Sequence, residues 1–258
     1  MGGIKKLLFV DTNIWLDFYR PRQSDVALKL LRSLEGIKDK IIVTHILEME
    51  YKSNRQSAIL EGLKELKSPQ KLPTLGIFSE AKASKMIEKH RSAIEKRLGG
   101  LRGRLQRALT DPQQYDPVYQ AFQRIFGREN NKLVFGIGID RRLKRVIREK
   151  AVRRFVLGCP PRKSDDTSIG DAVNWEWMVD CAERHQAELV ILTRDQDYGS
   201  QLEKRLLLND HLKQEFKERV SKKRDVLVYN SASVALKHFH VPVPADVMKN
   251  ELEFISST

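Results

Sequence analysis

Cysteine is nearly absent. Cys159 and Cys181 are the two in 258 residues, 22 apart and with no CxxC pair, so a disulfide framework and a cysteine-rich zinc site are both excluded, and idle thiols in a reducing cytoplasm are expected. Long apolar runs are missing too: nothing approaches the roughly 18 residues that cross a bilayer. The opening MGGIKKLLFVDTN places four apolar residues between Lys6 and Asp11, so neither a signal peptide nor a membrane span is expected. Lys6 stands where N-myristoylation of Gly2 would need Ser or Thr. With 41% apolar residues, 9 prolines and 14 glycines, whole-chain disorder and a coiled-coil rod are excluded. A basic globular domain of cytoplasmic type, with a core of real size, is the class that is left.

Acid is the scarcer sign of charge. Lys and Arg number 47 against 34 Asp and Glu, a net charge of +13. From Lys82 to Lys163 there are 22 basic and 7 acidic residues, so this middle stretch carries +15 and the rest of the chain −2. Solvated helix faces usually interleave both signs. Clustered Lys and Arg point instead to a polyanion, because they neutralise phosphates and release counterions. An acidic protein or a membrane surface is the alternative partner.

The flanks of the chain alternate strand and helix. Lys6 to Asp11, KLLFVD, reads as a buried parallel strand ending in a carboxylate. Ser24 is placed to cap a helix carrying Val26, Leu30, Leu31 and Leu34 on one face, with Gly36 as its stop. Lys40 to Thr44 is a second strand, leading into a helix with Glu48, Glu50 and Arg55. After residue 163 the alternation resumes: a helix over Ser168 to Arg184, a strand ELVILT, a helix over Leu202 to Val220, a strand DVLVY and a short helix over Ser233 to His238. An irregular tail is expected past Pro244. The order implies an α/β core over 1–55 and 164–258, interrupted by a basic helical insertion over 56–163.

Within that insertion Ser79 can cap a helix with Ala83, Met86, Ile87, Ala93, Ile94, Leu98, Leu101 and Leu105 at helical spacing, kinked or split at Gly99 and Gly100. A second helix starts near Asp140, with Leu143, Val146, Ile147, Ala151 and Phe155 inward and Arg141, Arg142, Lys144, Arg145, Arg148, Arg153 and Arg154 largely elsewhere. Gly158, Pro160 and Pro161 end it. The stretch from Thr110 to Ile139 has no assignment, and its Gly136-Ile137-Gly138 step is weak as a phosphate loop.

Acids gather at one edge of the expected sheet. Asp11 ends the first strand, Glu50 lies beyond the second, Asp171 opens a helix in IGDAVNWEW, and Asp195 and Asp197 follow ELVILT. Ligands bind at the carboxyl ends of parallel strands, and neighbouring carboxylates repel unless a cation lies between them. Such oxygen-rich sites suit Mg²⁺ or Mn²⁺. Each acid has an ordinary alternative: Asp11 with Thr12 as a helix cap, Glu50 as a surface acid in competition with Glu48, Asp171 as a dipole partner, Asp195 and Asp197 as turn formers. None of these explains their convergence. In PPRKSDD, residues 160–166, Arg162 and Lys163 stand just before the acidic edge and could clamp a phosphate. Of Trp175 and Trp177, one is expected in the core and the other could stack on a base. The histidines are scattered, and His238-Phe239-His240 reads as packing rather than a metal site.

These residues resemble the PIN-domain nucleases, and among them a PIN-like group with a long helical insertion. The resemblance rests on Asp11-Thr12-Asn13 after the first strand, Glu50 after the second, Gly170-Asp171-Ala172 at a helix start, and Thr193-Arg194-Asp195-Gln196-Asp197-Tyr198 after an apolar strand. It implies a three-layer core with a central parallel sheet and a Mg²⁺- or Mn²⁺-dependent phosphodiesterase, usually acting on RNA. It further implies Asp11, Glu50, Asp171 and Asp195 as the acidic cluster, Asp197 as an added ligand or support, and Asn13 and Thr193 as polar supports of the site or of the scissile phosphate. Metal-assisted hydrolysis leaving 5'-phosphate and 3'-hydroxyl ends is the family expectation. Thr44 stands six residues before Glu50, where family members often have Pro, which leaves Glu48 as an alternate.

The expected function is therefore a metal-dependent nuclease, RNA favoured over DNA, with Arg141, Arg142, Arg145 and Arg148 gripping substrate and a toxin or anti-invader defence effector as its setting. An inhibitory protein partner and an oligomer are both compatible with it. A catalytically silent RNA- or DNA-binding module and a structure-selective DNA nuclease are the alternatives. A dehalogenase-like phosphatase ranks low, since Thr12 and Asn13 stand where Asp-x-Asp would be required.

Overall fold

Leu7 to Val10 is apolar at every position, which suits a strand covered on both faces. In the computed structural model Lys6–Val10 (β1) is the central strand of a five-stranded sheet. The structure describes residues 5–20, 26–70, 82–127, 132–136, 139–161, 168–203 and 205–257. After β1 come α1 (Thr12–Asp17), α2 (Val26–Gly36), β2 (Ile41–Thr44), α3 (His45–Glu65), α4 (Lys82–Thr110), α5 (Pro112–Tyr115), α6 (Pro117–Phe126) and β3 (Val134–Phe135). Then follow α7 (Arg141–Val156), α8 (Gly170–His185), β4 (Glu188–Leu192), β5 (Gly199–Leu202), β6 (Arg205–Leu208), α9 (Asp210–Arg219), β7 (Val226–Tyr229), α10 (Ala232–His238) and α11 (Ala245–Ser257). Among the described residues no helix is long and apolar enough to cross a membrane.

The sheet order is β3-β2-β1-β4-β7, with every neighbouring pair parallel. Helices flank it: α8 packs on β2 and β4 with α7 against it, and α10 packs on β4 and β7 with α2 and α11 beside it. This is the three-layer α/β arrangement. The chain builds outward from β1 through β2 to β3, then returns to lay β4 on the other side, so a switch point opens between β1 and β4. Those two strands pair from Lys6 opposite Glu188 to Val10 opposite Leu192. Their next residues, Asp11 and Thr193, therefore leave the sheet side by side.

Two elements within 56–163, α6 and β3, pack into the core. α6 buries Phe122 and Phe126 against Trp15 and Tyr51, with the Tyr51 and Phe122 rings stacked at 3.9 Å, and β3 extends the sheet through Val134 opposite Val43. The Asp-Pro steps in the unassigned stretch are helix starts: Asp111 and Asp116 each cap a helix with Pro at its first positions. Asp116 also receives the buried Arg55, whose Nε donates to Oδ2 at 2.7 Å, and the Tyr19 hydroxyl at 2.7 Å. α4 behaves differently. It runs unbroken through Gly99 and Gly100, contrary to the expected kink, and Met86, Ile87, Ile94 and Leu101 are 44% to 51% exposed rather than packed. The Ser24 and Ser79 caps lie outside the described residues.

Three other expectations change. Leu202 to Val220 is not one helix: β5 and β6 form an antiparallel hairpin, Gly199 opposite Leu208, and α9 begins only after its cap Asn209. Gly199 is required there, since a Cβ would fall 1.8 Å from Leu207 O. Both Trp175 and Trp177 are core residues, because α8 is buried on nearly all sides; their indoles donate to Glu215 Oε2 and Leu133 O, each at 3.1 Å. Neither is free to stack on a base.

The tail past Pro244 is helix α11, fixed by a buried acid. Glu251 accepts from Ala232 N at 2.7 Å, Ser233 N at 2.8 Å and Ser231 Oγ at 2.9 Å, so it satisfies the otherwise unpaired amides that open α10. Glu251→Ala is expected to destabilise the protein by about 2 kcal/mol in urea unfolding, the scale of a lost charged cap. An unchanged midpoint would show that α11 contributes no cap.

Candidate active site

Asp11 ends β1 and caps α1, its Oδ1 accepting from Thr12 N at 2.7 Å. Its Oδ2 accepts from Thr193 Oγ1 at 2.6 Å and from Asn13 Nδ2 at 2.9 Å. Asn13 in turn accepts from Arg194 N at 3.3 Å through Oδ1, and Thr193 Oγ1 accepts from Asp195 N at 3.0 Å. Asp11, Asn13 and Thr193 thus form one bonded unit across the switch point, and that unit fixes the backbone leading to Asp195.

Glu50 comes to the same place from α3, where its Oε2 accepts from Thr12 Oγ1 at 2.8 Å. Glu48, the alternate, is turned to Lys52 at 2.7 Å. Thr44 caps α3 and donates to Asn174 Oδ1 of α8 at 2.6 Å, which ties the end of β2 to the helix that Asp171 opens. The start of α8 lies close enough that a Cβ on Gly170 would be 3.4 Å from Glu50 Oε1. Burial pushes the Asp11 carboxyl up to about 6; the Asp195 and Glu50 charges add to this against hydrogen bonds from Thr193 and Thr12.

Among the described residues no three His, Cys, Asp or Glu side chains form a ready-made metal cage. The donor set nonetheless fits a hard cation. Mg²⁺ keeps several waters and is commonly held by one or two carboxylates plus substrate phosphate, and the mutual repulsion felt at Asp11 is what a cation would relieve. Another observation agrees. Tyr198 is 1% exposed and its hydroxyl has no hydrogen-bond partner. Burial holds that hydroxyl far above the usual tyrosine range, with the charges of Asp171, Asp11, Asp197 and Glu50 adding to it.

Sequence reasoning passed over Thr12, Asn174 and Tyr198 as site residues; only the Thr12 spacing to Asp11 gave any signal. It also passed over Arg194, which is paired with Asp17 at 2.8 Å and lies over the Phe254 ring at 5.0 Å, pinning the loop after β4 to α1 and α11.

The basic residues approach from α7. Arg141, Arg142, Arg145 and Arg148 are exposed, and Arg141, Lys144, Arg145 and Arg148 line an open groove of about 610 Å³ with Val152 and Val156. His45, directly after β2, lies near them and packs on Phe135. Burial holds His45 below the usual histidine range, and the nearby Arg148 and Lys144 charges press it further down. Arg154 is not one of the solvent-facing arginines: it is buried against Glu176 at 2.9 Å. Arg162 and Lys163 lie outside the described residues.

Neither the curated proteins nor the solved structures include a match to this chain. Residues 8–198, from β1 through the last carboxylate and Tyr198, match the family model of the PIN domain. With most of its length matched, the chain belongs to the PIN-domain family, whose members are generally nucleases that use divalent metal ions.

Proposed function

We propose that this PIN domain is a Mg²⁺- or Mn²⁺-dependent endoribonuclease, with Asp11, Glu50, Asp171 and Asp195 holding the cation, Asp197 assisting, and the arginines of α7 gripping the substrate backbone. The observation that carries the proposal is the bonded unit of Asp11, Asn13 and Thr193 at the switch point, with Glu50 and Asp195 raising the Asp11 carboxyl electrostatically. When bound, a divalent cation supplies Lewis acidity toward phosphoryl oxygen and makes water acidic enough to serve as nucleophile at neutral pH. Asn13 and Thr193 hold Asp11 in one orientation by donating to the same oxygen. Thr12 does the same for Glu50. Arg141, Arg142, Arg145 and Arg148 neutralise phosphates and set the register of the strand, which positions it without reading its bases. The preference for RNA follows the usual substrate of the family.

Matched end-labelled RNA and DNA in Mg²⁺ or Mn²⁺ test the substrate class. RNA is expected to be cut internally to products with 5'-phosphate ends, and DNA spared. Equal cutting of DNA would overturn the RNA assignment. Binding without any cutting would favour the silent module. The grip of α7 has its own test: Arg145→Ala with Arg148→Ala is expected to weaken RNA binding about tenfold and to reduce the slope of log K against log salt by about two. An unchanged slope would remove α7 from the binding surface.

A further inference from the structure

Tyr198 closes the single turn Gln196–Tyr198 that carries Asp197. The turn is fixed on both sides. Tyr198 O accepts from Asn209 N at 2.9 Å, and the next residue, Gly199, starts the hairpin at the position where no Cβ fits. The ring is packed within the main hydrophobic core at 1% exposure, so phenylalanine would fill the same space. A tyrosine here adds only a hydroxyl, and that hydroxyl is buried with no hydrogen-bond partner. A buried donor left unmade is costly. Yet the charges of Asp171, Asp11, Asp197 and Glu50 all act on it, and none of those carboxylates accepts from it. The hydroxyl is therefore a buried donor within reach of the field of four acids and one partner short.

We propose that Tyr198 Oη is a ligand-binding group of the active site, donating a hydrogen bond to the oxygen that arrives with a divalent cation at the acidic cluster, whether a water or a phosphate oxygen of the substrate. This rests on the metal-dependent reading above and adds a residue to it. A phenol hydroxyl can donate as well as accept, and among carboxylates a donor is what is lacking. Carboxylates are acceptors and cannot supply one. Asn13 and Thr193 have donors, but both are committed to Asp11. Tyr198 thus brings to the neighbourhood of the cluster a buried donor that is spent on no protein group.

Tyr198→Phe in the full chain tests this. Chelator-stripped protein is titrated with Mn²⁺ by calorimetry, then with a 5'-nucleoside monophosphate in saturating Mn²⁺, and its melting is recorded in chelator. Melting in chelator is expected to be unchanged or raised, because the variant loses an unpaired hydroxyl. One dissociation constant is expected to rise about tenfold, the scale of a lost hydrogen bond to a charged or polarised oxygen. A loss already present with Mn²⁺ alone assigns the water; a loss confined to the monophosphate assigns the phosphate oxygen. Both constants equal to wild type overturn the proposal, as does a lowered melting temperature with unchanged constants, which is the mark of packing alone. A wild-type protein that takes up no Mn²⁺ fails at the earlier step and overturns the metal-dependent reading instead.

Discussion

Asp11→Asn is expected to reduce metal-dependent cleavage by about 10³-fold or more, since a cation held by Asp11 as proposed would contribute several kcal/mol to the transition state and each ~1.4 kcal/mol is tenfold. The same change should stabilise the metal-free protein at neutral and alkaline pH. The Asp11 carboxyl is raised from 3.8 to about 6 by burial and by its acidic neighbours, so the protonated form is the one favoured in the fold. Its contribution is full below 3.8 and is lost as pH rises through about 6. Asparagine is neutral throughout, and with its carbonyl turned toward Thr193 Oγ1 and Asn13 Nδ2 it still accepts from both, giving up only the bond from Thr12 N. In chelator, the melting temperature of the variant should therefore exceed that of wild type at pH 8, with the gap closing toward pH 4. Lost cleavage together with lost stability at pH 8 would mean that Asp11 is a structural cap and that activity fell with the fold.

The largest expected loss of stability lies away from the site. Arg154→Met should cost about 3–5 kcal/mol in urea unfolding near neutral pH. Arg154 donates to Glu176 Oε1 at 2.9 Å and also pairs with Glu215, while Arg219 pairs with Glu176 and Glu215 at 2.9 Å and 2.7 Å. Four charges from α7, α8 and α9 thus close one ring, with Arg154 and Glu176 buried and Glu215 and Arg219 half-buried, and removing Arg154 leaves the buried Glu176 short of charge. Methionine can replace the packing of the arginine stem but none of its hydrogen bonds. Burial by itself would raise Glu215, and the guanidiniums of Arg154 and Arg219 overcome it and hold the carboxyl below its ordinary 4.5. Its contribution is present above 4.5 and lost as pH falls through the lower folded value. The penalty of the variant should accordingly shrink in acid. A loss under about 1 kcal/mol would show that the ring is solvent-screened like an ordinary surface pair.

The strands that position the site were legible because parallel strands buried on both faces are continuous apolar runs. LLFV, IIVT, LVIL and VLVY stand out against a charged chain. Asp11 and Thr193 could be placed at one edge for the same reason, each following such a run by one residue. β3 could not be read, since two residues carry no period. The hairpin β5-β6 was misread because Leu202 and Leu206 are spaced as on a helix, and the close approach at Gly199 is a tertiary fact. Arg154 looked like its exposed neighbours because its partners Glu176 and Glu215 are 22 and 61 residues away. α11 was missed for a related reason: what orders it is Glu251 reaching the start of α10. Within the site, the acids announced themselves by chemistry. Tyr198 did not, because an aromatic after a carboxylate reads as core until its hydroxyl is seen to lack a partner.

The central claim is metal-dependent hydrolysis at the carboxyl edge of β1 and β4. Its most direct measurement is the rate at which chelator-stripped protein cleaves an end-labelled RNA as Mn²⁺ is restored, in wild type and in Asp195→Asn. The expected result is no cleavage in chelator, a saturable rise with Mn²⁺ in wild type, and a flat response in the variant. Full cleavage in chelator, or the same Mn²⁺ response in Asp195→Asn as in wild type, would contradict the account.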